Sequence, residues 1–113
     1  MVYLFFKFVY LFNIVTGIPV LVSNVDVQDI IDTFLLESLN DVYPRIGLTP
    51  KDIADAKQNS TKEQARSLLN LWRNREDNAA TRGRMIAAME QCSNYTAYTN
   101  RLKRKWRMGM ELA

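Results

Sequence analysis

With 113 residues, 48% of them hydrophobic, the chain can bury one modest core and is too short for a second folded domain. It contains no histidine, which removes the commonest metal ligand and the side chain that titrates near neutrality, so the usual zinc sites and histidine-based acid–base relays are excluded. The net charge of +3 is unevenly placed: residues 1–60 hold four basic and seven acidic side chains, residues 61–113 eleven and five. In a folded bundle such asymmetry makes two faces of opposite sign, which can orient association with a partner.

Residues 1–24, MVYLFFKFVYLFNIVTGIPVLVSN, form a hydrophobic segment with a single charge, Lys7. Positions 8–25 are uncharged, the lower limit for a helix that spans a bilayer core, although Asn13, Gly17 and Pro19 interrupt it. The alternatives are a secretory signal peptide cut after Gly17, or a start that is not native to the functional protein. As an anchor, with Lys7 before the run and Asp26, Asp29 and Asp32 after it, the segment places the following domain outside the cell.

From Val25 onward the periodicity is helical, with no period-two run long enough for a sheet. Ile30, Ile31, Phe34 and Leu35 form the apolar face of a first helix, opposed by Asp29, Asp32 and Glu37. A short second helix holds Leu39, Val42 and Tyr43, is ended by Pro44 and is closed by Gly47. Thr49-Pro50 is a helix start, an N-cap hydroxyl before proline at the first helical position, with Asp52 in the first turn; this third helix runs to about Lys57.

The strongest pattern follows. Thr61 and Gln64 have capping-box spacing, and Ala65, Leu68, Leu69 and Trp72 recur at i, i+3, i+4, i+7 in a fourth helix ending near Arg75. Glu76-Asp77-Asn78 is a turn, Thr81 caps a fifth helix, and Met85, Ile86, Met89 and Cys92 line its face. Ser93 or Asn94 begins a sixth, with Tyr95, Tyr98, Leu102 and Trp106 on one face and Arg101, Lys103, Arg104, Lys105 and Arg107 elsewhere. The predicted fold is all-α, six short helices in residues 25–107, followed by a tail at 108–113.

Residues 65–92, ARSLLNLWRNREDNAATRGRMIAAMEQC, resemble the core of the death domain: Leu68-Leu69-x-x-Trp72, a charged turn, Ala80-Thr81, then a helix carrying Met85, Ile86, Ala88, Met89 and Cys92. The stretch Gly47-Leu48-Thr49-Pro50-Lys51-Asp52-Ile53 is similar to that family's lead-in to the third helix. Among its branches the Fas-associated death-domain adaptor type looks most alike. Leu39 stands where many members have tryptophan, Pro44 interrupts the second helix, and Arg82 replaces an apolar residue.

The resemblance implies a six-helix antiparallel Greek-key bundle at residues 25–107. It also implies a non-enzymatic, cytoplasmic module that binds other death-domain proteins, homotypically or heterotypically, in apoptotic or innate immune signalling, with homo-oligomers among the expected assemblies. No cofactor or metal is implied. By position and charge, Asp52 and Asp55 are the candidate acidic patch and Arg73, Arg75, Arg82 and Arg84 the basic one; Leu68, Leu69, Trp72, Ile86 and Met89 are the expected structural core.

Single features have plainer readings beside these. Trp72 is a core anchor before it is a ligand platform, and Cys92, without a partner for a disulfide, is a small buried apolar residue. The cations at 101–107 suit phosphate, an acidic membrane or an acidic protein, or else a solvated helix face. Asn59-Ser60-Thr61 and Asn94-Tyr95-Thr96 match the glycosylation triplet but coincide with helix caps. Two other classes stay open: a secreted or membrane-tethered small helical protein, through residues 1–24, and a basic nucleic-acid-binding domain.

Overall fold

The computed structural model describes residues 19–57 and 60–108; the apolar run up to residue 18, Asn59 of the first glycosylation triplet and positions 109–113 of the tail lie outside the described residues. Six α-helices follow one another: α1 Asn24–Thr33, α2 Leu39–Val42, α3 Pro50–Asp55, α4 Thr61–Glu76, α5 Arg82–Glu90 and α6 Thr96–Lys105. Short 3-10 turns at Leu36–Ser38, Tyr43–Ile46, Asp77–Ala79 and Ser93–Tyr95 join them. Over the described residues the fold is an all-α bundle of six helices.

Local chemistry sets most of the boundaries. Thr49 caps α3 by accepting from the Asp52 N–H at 3.1 Å, while the Asp52 carboxylate accepts from the Thr49 N–H at 2.9 Å, with Pro50 at the first helical position. Thr81 caps α5 through the Arg84 N–H. Pro44 converts the end of α2 into the 3-10 turn Tyr43–Ile46, and Gly47 terminates it at φ +92°, a left-handed conformation that glycine adopts without steric cost.

Three boundaries differ from the sequence expectation. Ser60, not Thr61, caps α4, accepting from the Glu63 N–H at 3.1 Å; with two adjacent hydroxyls the local pattern fits either register, and Gln64 instead donates to the Ile53 carbonyl. Leu35 was expected on the apolar face of the first helix, but α1 stops at Thr33 and Phe34 is extended at ψ 148°, so Leu35 turns outward and is 56% exposed. The fold also starts before residue 25. Ser23 caps α1 in a reciprocal box with Asp26, and Val22 is buried, held by its N–H to the Ala80 carbonyl at 2.9 Å while the Arg82 N–H donates to Val20 at 2.8 Å.

One core runs through the bundle. Trp72, Leu68, Leu69 and Ala65 on α4 share it with Val27, Ile30 and Ile31 of α1, Leu39 and Val42 of α2, Met85, Ile86 and Met89 of α5 and Leu102 of α6. Burying each large side chain contributes roughly 1.5–3 kcal/mol. Trp72 is enclosed, and its indole N–H meets no acceptor among the described residues. Tyr95 and Tyr98 are only partly buried; Tyr98 rests on Phe34 with ring centroids 5.4 Å apart.

The turn after α4 stores strain. Asp77 has φ 52° and ψ −112°, a region suited to glycine, and adds a negative charge at the carbonyl end of the helix. Replacing Asp77 by glycine is therefore expected to stabilise the fold by about 1 kcal/mol, raising the melting temperature by roughly 4–8 °C. A calorimetric scan that shows a lower melting temperature would contradict this backbone assignment.

Candidate functional surface

Among the described residues no group of three or more Cys, Asp or Glu side chains could hold a metal ion, and the candidate site is the charged exterior. The helix directions give that exterior a polarity. Arg66 on α4 reaches Gln28 at 2.8 Å and Arg73 reaches Asn24 at 2.7 Å, so the start of α1 lies beside the end of α4. Trp106 donates to Asp29 at 3.1 Å, and Arg82 reaches both Asp26 and the Trp106 ring, which brings the end of α6 and the start of α5 to the same place.

Four of the six candidate residues have an ion partner within 3 Å inside the bundle. Arg82 holds Asp26 through two parallel hydrogen bonds of 2.9 and 2.8 Å, with the Asp26 side chain only 2% exposed, and its guanidinium lies 5.1 Å from the centre of the Trp106 ring. Arg82 was expected as a partner-binding cation. Here it joins α5, α1 and α6, which explains how the position tolerates a charge where the family has an apolar side chain.

Asp52 and Arg75, assigned to opposite patches, touch each other at 2.9 and 3.2 Å, tying α3 to α4. Asp55 pairs with Lys51 on its own helix at 2.8 Å, in an exposed contact worth about 0.3–0.5 kcal/mol. The acidic patch expected on α3 is thus largely neutralised in place. Among the described residues Arg73 is bound by the neutral amides of Asn24 and Asn70, and Arg84 has a long 3.9 Å contact to Glu76, so these two keep cationic character.

The two hydrogen bonds from Arg75, with the Thr49 N–H second, hold the Asp52 carboxyl well below the usual carboxylate range. A carboxyl depressed by folding contributes stability above its unfolded pKa and loses that contribution as pH falls through the folded value. The α3–α4 tie therefore persists through mildly acidic pH and releases only in strong acid. In an NMR titration, Arg75→Ala is expected to move the Asp52 midpoint upward; an unchanged midpoint would remove Arg75 as the cause.

Sequence reasoning missed the carboxylates that do remain available. Asp32, Glu37 and Asp41 make no ion pair among the described residues; Asp32 accepts from Gln28 and Asp41 from the Tyr95 hydroxyl, and all three are exposed. They follow from the end of α1 into α2, at the opposite end of the bundle from Arg73 and Arg84. The signal was present in the uneven charge count. Cross-chain pairing obscured it: Asp26, Asp29 and Asp52 are all matched by cations of the C-terminal half, Asp29 by Lys105 at 3.3 Å.

The remaining features read as structure. Cys92 is buried, its thiol donating to the Ala88 and Asp41 carbonyls at 3.7 Å each, beside a polar cleft of about 250 Å³ lined by Asp41, Arg45, Gln91, Asn94 and Tyr95. Within the basic run, Lys103 pairs with Glu90 at 2.9 Å and the last-turn cations complement the α6 dipole. Among the described residues no helix is long and apolar enough to cross a membrane.

Comparison with known proteins matches the death domain family model to residues 26–101, two-thirds of the chain. No curated protein and no solved structure gives a match. The family match spans all of α2 to α5 and the greater part of α1 and α6, and with the bundle it overlies, it establishes that the chain belongs to the death domain family.

Proposed function

We propose that this chain is an intracellular assembly module that joins death-domain complexes in apoptotic or innate immune signalling through its two oppositely charged ends. Family membership carries the coarser statement, that it is a non-enzymatic protein–protein interaction domain of signalling complexes. The observation that supports the finer one is the separation of charge that is unpaired or only weakly paired: Arg73 and Arg84 at one end, Asp32, Glu37 and Asp41 at the other. Such an arrangement sets like charges against each other when two copies meet by the same end. It favours head-to-tail contact, in which the basic end of one domain meets the acidic end of the next and a chain of subunits can grow.

In this reading Asp55 and Arg75 sit at the rim of the contact, and Arg82 acts through the fold. The experiment is size-exclusion chromatography of the full chain mixed with receptor and adaptor death domains at low and physiological salt. Co-elution that weakens as salt rises is the expected result. Independent elution from every death domain tried, under both conditions, would count against it. The same run with a DNA duplex in place of the partner addresses the nucleic-acid reading.

A further inference from the structure

The bundle's exposed large apolar side chains are not scattered. Three of them, Val20 at 51%, Leu21 at 48% and Val25 at 69% exposure, lie within six residues where the chain enters α1. The backbone there is fixed, because Val20 accepts from the Arg82 N–H and Val22 donates to Ala80. Arg82 in turn reaches the Trp106 ring, so this apolar rim lies beside the end of α6.

That end of α6 is cationic. Lys105 is matched by Asp29, but Arg104 and Arg107 are exposed and make no ion pair among the described residues. Arg107 also occupies a strained position. The helix closes with the Met108 N–H on the Lys103 carbonyl at 2.8 Å, which places Arg107 in the left-handed cap position at φ 62°, where glycine is the usual residue. An arginine in this conformation costs about 1 kcal/mol relative to glycine.

Apolar side chains flanked by unpaired cations are the composition of a surface that lies on an anionic bilayer: the apolar groups enter the headgroup boundary and the cations meet lipid phosphate and carboxylate. The chain continues from Pro19 into 18 residues whose one charged side chain is Lys7, so the rim is continuous in sequence with a strongly apolar stretch. We propose that Val20, Leu21, Val25, Arg104 and Arg107 form a contact surface for membranes rich in anionic phospholipid, adjoining Arg73 and Arg84 but not using them.

Vesicle flotation of the full chain tests this, since aggregated protein sinks while vesicle-bound protein rises. Phosphatidylcholine vesicles with phosphatidylserine are compared with phosphatidylcholine alone. The expected result is a clear preference for the anionic vesicles that diminishes with salt. Arg104→Gln with Arg107→Gln should weaken that binding about fivefold per cation removed, or about twenty-five-fold together. Lysine at both positions should preserve it, because lipid attraction reads charge rather than guanidinium shape, and circular dichroism checks that each variant is folded.

Leu21→Ser with Val25→Ser should weaken binding to the anionic vesicles as well. Equal flotation with neutral vesicles, no flotation with either, or glutamine variants that bind as well as wild type would overturn the proposal. So would a DNA duplex that captures the chain in preference to the vesicles at physiological salt. Because these variants leave Arg73 and Arg84 in place, loss of protein assembly with lipid binding retained would count against the assembly reading and not against this one.

Discussion

Arg82→Met is expected to destabilise the domain by about 3–5 kcal/mol, a large part of the total for a domain of this size. The guanidinium is what balances the Asp26 carboxylate, whose side chain is 2% exposed; without it, the carboxylate keeps only the Ser23 N–H at 3.1 Å as a described side-chain-directed donor. A buried charge left unbalanced costs far more than the intact pair contributes, so the effect belongs to the orphaned Asp26 rather than to a lost attraction. The contact between Arg82 and the Trp106 ring adds a smaller share.

The double variant separates these causes. Asp26→Asn combined with Arg82→Met removes both charges while keeping a side-chain acceptor for the Ser23 N–H, and it should recover more than half of the loss. Urea denaturation of the two variants and of wild type gives the comparison. If Arg82→Met unfolds at the wild-type midpoint, or the double variant is weaker than the single one, the pair is not the fastener assigned here.

The second large effect concerns assembly. Arg73→Glu with Arg84→Glu should abolish self-association and death-domain binding, more than a hundredfold in affinity, because two cations that meet carboxylates become like charges against them. Neither residue carries a strong ion pair, so the fold should survive. Arg75→Glu is a poorer probe than its position in sequence suggests, since it would set a carboxylate against Asp52 and loosen α3. Reversing Asp32, Glu37 and Asp41 to lysine should abolish self-association equally.

Mixing the two reversed proteins supplies the decisive contrast. Each retains one intact end, and the two reversed ends are opposite in charge to each other, so the mixture should assemble while neither protein does so alone. A mixture in which both proteins remain monomeric would show that these two ends do not meet.

What could be read from the sequence follows the range of the interactions. Helix caps act over three residues, so Thr49-Pro50-Lys51-Asp52 and Thr81 announce α3 and α5, and Pro44 with Gly47 marks where α2 must give way. The apolar spacing of Leu68, Leu69 and Trp72 likewise declares the buried face of α4. The end of α1 carries no glycine or proline, which is why Leu35 was assigned to the wrong face.

Pairing across the chain was not legible. Arg82 and Asp26 are 56 residues apart, and a cation at an apolar family position was the sole trace of their contact. Asp52 and Arg75, 23 residues apart, were for the same reason assigned to separate patches although they neutralise each other. Charge counted along a sequence overstates charge on a surface whenever the two halves pair with each other, as Asp26, Asp29 and Asp52 do here.

The most direct test of the central claim is light scattering on the full chain across a range of concentration and ionic strength. Head-to-tail contact between charged ends requires a mass that grows with concentration at low salt and falls toward the 13.1 kDa monomer as salt screens the ends. A mass fixed at the monomer under all conditions, or one that rises with salt as apolar aggregation does, would contradict it.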